Sequence, residues 1–158
     1  MVHEIDKSAV VTAVNEAYTQ YAKTTEGQNA SYIPYLKNIP PSLFGISVCM
    51  ADGERIEVGD TGYRFGIESV SKVPTAILAM KQHGTQTVMK KIGADATGLP
   101  FNSIIAILLE NDHPSTPLVN AGAITACSMI APTGNSNAKW LAIKGFVESL
   151  CGSAVEVI

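Results

Sequence analysis

The spacing of apolar residues changes several times along the chain, and each change predicts a different element. Val10, Val14, Ala17, Tyr18 and Tyr21 recur at helical spacing behind Ser8, a residue type suited to capping, so residues 8–23 are expected to form an amphipathic helix. Thr24 to Ser31 is polar and reads as a loop. Tyr32-Ile33-Pro34-Tyr35-Leu36 then reads as a short helix with proline in its first turn, closed off by Pro40-Pro41. From Phe44 to Met50 the pattern alternates and is rich in β-branched residues. Asp52-Gly53 is a turn pair and Glu54 to Val58 answers the first run, which predicts a β-hairpin.

The second half reads as helical. Tyr63 to Glu68 looks like an extended, strand-like approach. Val73-Pro74-Thr75-Ala76-Ile77-Leu78-Ala79-Met80 looks like a buried helix that stops at His83-Gly84. Residues 85–92 suit another helix, before a loop through Gly93, Gly98 and Pro100. Ile104 to Leu109 is apolar at every position, so periodicity cannot separate a buried strand from a buried helix; its length fits a core element. Asn111 to Pro117 is a loop, and Ala121 to Ile130 a helix of small residues opening near Asn120, itself a capping residue type. Residues 131–137 form a turn, and 139–150 a last amphipathic helix with Trp140 expected in its core.

Composition narrows the class. The 158 residues are 46% hydrophobic and 16% charged, which suits one compact domain with a real core. A net charge of −3, no basic run and few aromatics argue against a nucleic-acid surface. No apolar run is long enough to span a membrane. Met1-Val2-His3-Glu4-Ile5-Asp6-Lys7 lacks the basic-then-apolar pattern of a leader. Cys49, Cys127 and Cys151 are odd in number, scattered and set among apolar residues, which suggests buried free thiols in a reducing cytoplasm. His3, His83 and Asp112-His113 are expected in loops or at helix ends, without a metal.

The candidate chemistry lies at Ser69-Val70-Ser71-Lys72. Residues three apart on a helix share a face, so Lys72 is expected beside Ser69. A serine hydroxyl is a weak nucleophile until a base removes its proton, and a lysine desolvated by an apolar wall can act as that base. A helix N-terminus at the serine would also offer free N–H groups to a developing oxyanion. Ser-x-x-Lys alone has low specificity, but the apolar segment after Lys72 places this one near a core, where a charge is costly without a purpose.

With these residues in view, the chain resembles the bacterial and animal glutaminases that share the serine β-lactamase-like fold. The blocks that carry the resemblance run in order: Tyr32-Ile33-Pro34, Leu43-Phe44-Gly45-Ile46-Ser47-Val48, Val58-Gly59-Asp60, Ser69-Val70-Ser71-Lys72, Gly98-Leu99-Pro100-Phe101-Asn102-Ser103 and Val119-Asn120-Ala121-Gly122-Ala123-Ile124. The resemblance implies an α/β (α+β) serine β-lactamase/transpeptidase-like fold, with hairpin strands packed against helices. It implies hydrolysis of L-glutamine to L-glutamate and ammonia through an acyl-enzyme, without cofactor or metal. Ser69 would match the nucleophile, Lys72 the base that also assists ammonia departure, Asn120 the asparagine at the substrate's α-carboxylate, and Tyr32 a tyrosine lining the pocket. Family members form homo-oligomers, tetramers among them, and no nucleic acid or membrane partner is implied.

Two residues depart from the family pattern. Glu68 precedes Ser69 where many relatives carry glutamine, and an anion there would favour a charged Lys72. Pro74 sits five residues past the serine, tolerable if the helix opens near Ser69. The family's remaining parts are expected in a second half: the Ser-Glu pair and asparagine that grip the amino-acid head, the proton-relaying tyrosines, and a Lys-Ser-Gly-Val-Gly-Gly loop. Residues 1–158 are therefore expected to be the N-terminal portion of one catalytic domain, inactive alone. A β-lactamase or penicillin-binding-like acyl hydrolase, and a non-catalytic chain that only packs with a partner, are the alternatives.

Overall fold

The computed structural model describes residues 5–157, so His3 and the opening Met1 to Glu4 lie outside it. The described residues fall into two compact units, the first ending at Phe65 and the second beginning at Gly66.

In the first unit, helix α1 (Lys7–Tyr21) packs on an antiparallel hairpin, β1 (Gly45–Cys49) and β2 (Arg55–Gly59). The helix is capped by Asp6, not by Ser8: the Asp6 carboxylate accepts the Ser8 and Ala9 N–H groups, and the Ser8 hydroxyl turns back onto it. Val48 pairs with Ile56 and Ile46 with Val58, so the alternating apolar residues share one half-buried face. Tyr18 stacks on Phe44 with ring centroids 5.5 Å apart. Gly59 has φ 77°, and a Cβ there would collide with the Tyr18 ring and Phe44 O, so the helix reaches the hairpin only over a glycine. The connection runs through Asp52-Gly53 as expected, with Gly53 at φ 88°. Short helix α2 (Pro34–Lys37) opens with proline at its first position.

The second unit is helical: α3 (Lys72–His83), α4 (Thr85–Met89), α5 (Ile104–Leu109), α6 (Asn120–Met129) and α7 (Ser136–Cys151). The expected strand-like approach at Tyr63 to Glu68 is not a strand. The chain there is irregular and then enters a 3₁₀ turn, Glu68–Ser71, that runs directly into α3. Leu78 and Ala79 of α3, Val88, Ile92, Ala126 of α6 and Ile130 form the core, with Ile143 and Phe146 of α7 packed against it. Ala79 and Ala126 are fully buried, and their small side chains let α3 and α6 approach closely. The C-terminal carbonyls of α6 are occupied from neighbouring helices: His83 Nε2 lies 2.6 Å from Met129 O, and Lys139 Nζ donates to Ser128 O and Cys127 O.

Three burial expectations are corrected. Cys49, Cys127 and Cys151 are free thiols but exposed. Cys49 falls on the outward face of β1, and Cys127 sits one position past the buried Ala126 on α6. Trp140 is 50% exposed, because α7 turns Val147 and its neighbours inward instead. Ile104 to Leu109 is a helix, yet only Ala106 of it is buried. A six-residue helix cannot turn every side inward, and Ile104, Ile105, Leu108 and Leu109 stay exposed.

Candidate active site

Ser69 sits in the middle of the 3₁₀ turn, exposed. The first bond of that turn runs from Val70 N–H to Ile67 O at 3.0 Å, which leaves the Ser69 N–H ahead of the hydrogen-bonded ladder. Among the described residues the Ser69 hydroxyl has no hydrogen-bond partner. Glu68 adopts φ 42°, a left-handed conformation that costs a side chain with a Cβ about 1 kcal/mol or more. The strain lies directly before the serine, where it fixes the sharp entry into the turn. Ser71, whose hydroxyl donates to Glu68 O at 2.6 Å, helps to hold that geometry.

Lys72 is the first residue of α3, and its N–H donates back to Ser69 O and Val70 O, joining the 3₁₀ turn to the helix. Pro74 is third in α3, within the first turn, where its missing N–H breaks no helical bond. The Lys72 side chain is half-buried. Its Nζ donates to Asn120 Oδ1 at 2.8 Å and to Leu118 O at 3.2 Å, and lies 5.6 Å from the centre of the Phe101 ring. Lys72 is thus engaged by Asn120 and Leu118, and among the described residues it makes no hydrogen bond to Ser69 and no ion pair with Glu68.

Asn120 is not a cap. Val119 occupies that position in extended conformation, and Asn120 is the first residue of α6. Its N–H donates to Phe101 O at 2.9 Å, so the loop after Gly98 is tied to the start of α6 while the Asn120 amide faces Lys72. Gly122 secures the other side: a Cβ there would overlap the Thr116 carbonyl, so α6 rests directly on the loop backbone. A cation at a helix N-terminus is opposed by the helix dipole. The Lys72 ammonium at the start of α6 is held there by specific acceptors against that field, a placement that stability alone does not favour.

Beside this cluster lies a cavity of about 180 Å³ lined by Phe101, Ser103, Ile104, Ser115, Asn120 and Ile124, among others. Ser115 Oγ is buried without a partner among the described residues. Tyr32 belongs to the first unit, just ahead of α2, and is 78% exposed. The sequence reading brought Ser69, Lys72 and Asn120 forward but missed Phe101 and Leu118. Phe101 stood inside the Gly98 to Ser103 block, whereas Leu118 acts through its main chain and left no side-chain signal.

The Glutaminase family profile matches residues 27–158. The chain belongs to the glutaminase family. A glutaminase of Parabacteroides distasonis is 62% identical over 158 residues, covering 98% of this chain and 49% of the relative. A glutaminase of Bacteroides thetaiotaomicron is 68% identical over 145 residues, covering 92% of this chain and 45% of the relative. A solved structure described as a probable glutaminase superposes with a TM-score of 0.86 at 45% identity, over 92% of this chain and 47% of that one. The chain thus spans about half the length of the curated glutaminases it matches. Its fold is the mixed helix-and-hairpin arrangement of serine β-lactamase-like glutaminases, over about half of their length.

Proposed function

We propose that these residues carry the nucleophile and base of a glutaminase that hydrolyses L-glutamine to L-glutamate and ammonia. The carrying observation is the 2.8 Å bond from Lys72 to Asn120, which unites two family blocks 48 residues apart in the chain. In this reading Ser69 Oγ attacks the side-chain amide carbon as its proton passes to the neutral amine form of Lys72, whose two remaining N–H groups point to Asn120 and Leu118. Lys72 returns the proton to the departing nitrogen, and ammonia leaves. Water then attacks the acyl-enzyme and releases L-glutamate. The Ser69 N–H is the oxyanion donor supplied here. Asn120 contacts the substrate's α-carboxylate.

Residues 1–158 in this reading form the N-terminal portion of one catalytic domain, and the remaining groups that grip the amino-acid head, beyond Asn120, come from the part of the family that this chain does not match. The half-length coverage of the relatives supports that division. The working enzyme is a cytoplasmic homo-oligomer, a tetramer as the family resemblance implies. The exposed apolar side chains of α5 and Ile124 of α6 are surface for the unmatched part of the family to cover.

Ammonia release at millimolar glutamine tests the proposal. A hybrid joining residues 1–158 to the part of the Parabacteroides distasonis relative that they do not match is expected to turn over, and the 158-residue chain alone to be inactive. Turnover by the 158-residue chain, abolished by Ser69→Ala, would show that the pocket is complete within these residues. Hydrolysis of a chromogenic β-lactam by the hybrid, without glutamine turnover, would move the reading to the penicillin-recognising hydrolases.

A further inference from the structure

We infer that Phe101 is a positioning residue for Lys72, acting through the face of its ring; the catalytic consequence rests on the glutaminase reading above. Three observations converge on it. The Lys72 ammonium stands 5.6 Å from the Phe101 ring centre, within the range at which the negative ring face attracts a cation. Phe101 is fixed independently of that contact, because its carbonyl accepts the Asn120 N–H at 2.9 Å. The same Asn120 takes Lys72 Nζ on its side-chain oxygen.

The arrangement closes a ring of contacts from Lys72 to Asn120, from Asn120 to Phe101, and from Phe101 back to Lys72. Asn120 Oδ1 and Leu118 O each take one N–H direction of the ammonium. Two such acceptors leave the flexible lysine stem free to swing about them. The aromatic face supplies a third, non-directional restraint. Substituting the side chain leaves the Phe101 carbonyl and its bond to Asn120 in place, so the effect of the ring is separable from that of the loop.

The 158-residue chain is sufficient for the test, whatever its activity. The first readout is the rate at which Lys72 is acylated by acetic anhydride, resolved by peptide mass mapping. The internal control is Lys81, which lies 5.1 Å from the Phe146 ring in the same unit. Phe101→Leu is expected to speed modification of Lys72 roughly two- to fivefold, the factor an exposed cation–π contact is worth, and to leave Lys81 unchanged. Phe101→Tyr, which keeps a ring face, is expected to restore the original rate. The second readout is spectroscopic: the Lys72 ε-methylene protons should show an upfield ring-current shift that disappears in Phe101→Leu and persists in Phe101→Tyr. Should the leucine variant unfold, seen as faster modification of every lysine, Phe101→Met provides the same comparison. Unchanged Lys72 reactivity and unchanged ε-methylene shifts in a folded leucine or methionine variant would overturn the inference. In the hybrid enzyme Phe101→Leu should lower kcat with little change in KM. Loss of the labelling effect refutes the role of Phe101 alone, whereas absence of glutamine turnover in the unaltered hybrid refutes the glutaminase reading alone.

Discussion

Lys72 and Asn120 are the first residues of α3 and α6, and the bond between their side chains, 2.8 Å from Nζ to Oδ1, ties the two helix starts together. Hydrogen bonds to charged groups are worth more than neutral ones, but this pair is only half-buried and partly screened. Asn120→Ala is therefore expected to lower stability by about 1 kcal/mol, read as a lower urea midpoint at unchanged slope. Asn120→Asp, which keeps an acceptor, should lose less. Equal midpoints for wild type and Asn120→Ala would show that the bond adds nothing to the fold.

The two glycines of the long helices should respond in opposite senses. Gly122→Ala drives a Cβ into the Thr116 carbonyl, a backbone atom that cannot step aside, and should cost about 2 kcal/mol or more. Gly145 lies inside α7 with open space around it, so Gly145→Ala should stabilise by about 0.5–1 kcal/mol. Chemical denaturation of both variants checks the pair, and a neutral Gly122→Ala would mean that α6 does not rest on that loop.

Acid stability should depend on the cap of α1. The Ser8 hydroxyl foremost, then the Ser8 and Ala9 N–H groups, hold the Asp6 carboxyl below its ordinary value. A carboxylate depressed in the folded state adds stability that is present above the unfolded value and is lost as pH falls through the folded one. The loss thus begins near about pH 4 and deepens below it. Asp6→Asn keeps a capping oxygen without the titration, so its melting temperature should fall less steeply between neutral pH and about pH 3. Parallel acid limbs for the two proteins would remove Asp6 from the acid response.

Much of this was legible in the residues themselves. Asp52-Gly53 announced its turn, Pro34 the start of α2, and the small residues after Asn120 a helix that packs closely. The Ser69 to Lys72 step and the Asn120 block were both visible as chemistry. Less legible was what depended on the main chain. Leu118 meets Lys72 through its carbonyl, and the turn at Ser69 depends on Glu68 taking a left-handed φ that a glutamate rarely adopts. Burial of the Ile104 to Leu109 run was misread for another reason: apolar composition records that a surface favours being covered, not which part of the chain covers it.

That exposed run carries a prediction of its own. Ile104, Leu108 and Leu109 are each at least 66% exposed, and contiguous apolar surface of this kind promotes association. The 158-residue chain should self-associate with rising concentration in sedimentation experiments, and Leu108→Glu with Leu109→Lys should shift it toward monomer. A chain that stays monomeric at high concentration would show that this exposed face does not drive association.

The pairing of Ser69 with Lys72 is tested most directly by ammonia release from glutamine in the hybrid enzyme, comparing Ser69→Ala, Lys72→Ala and the double variant. Residues that act as one catalytic unit lose rate together. Each single variant is expected to fall by roughly a thousandfold or more, and the double variant to fall no further than the worse single one. A Ser69→Ala enzyme that keeps a tenth of the rate, or a double variant whose loss is the product of the two singles, would contradict the account.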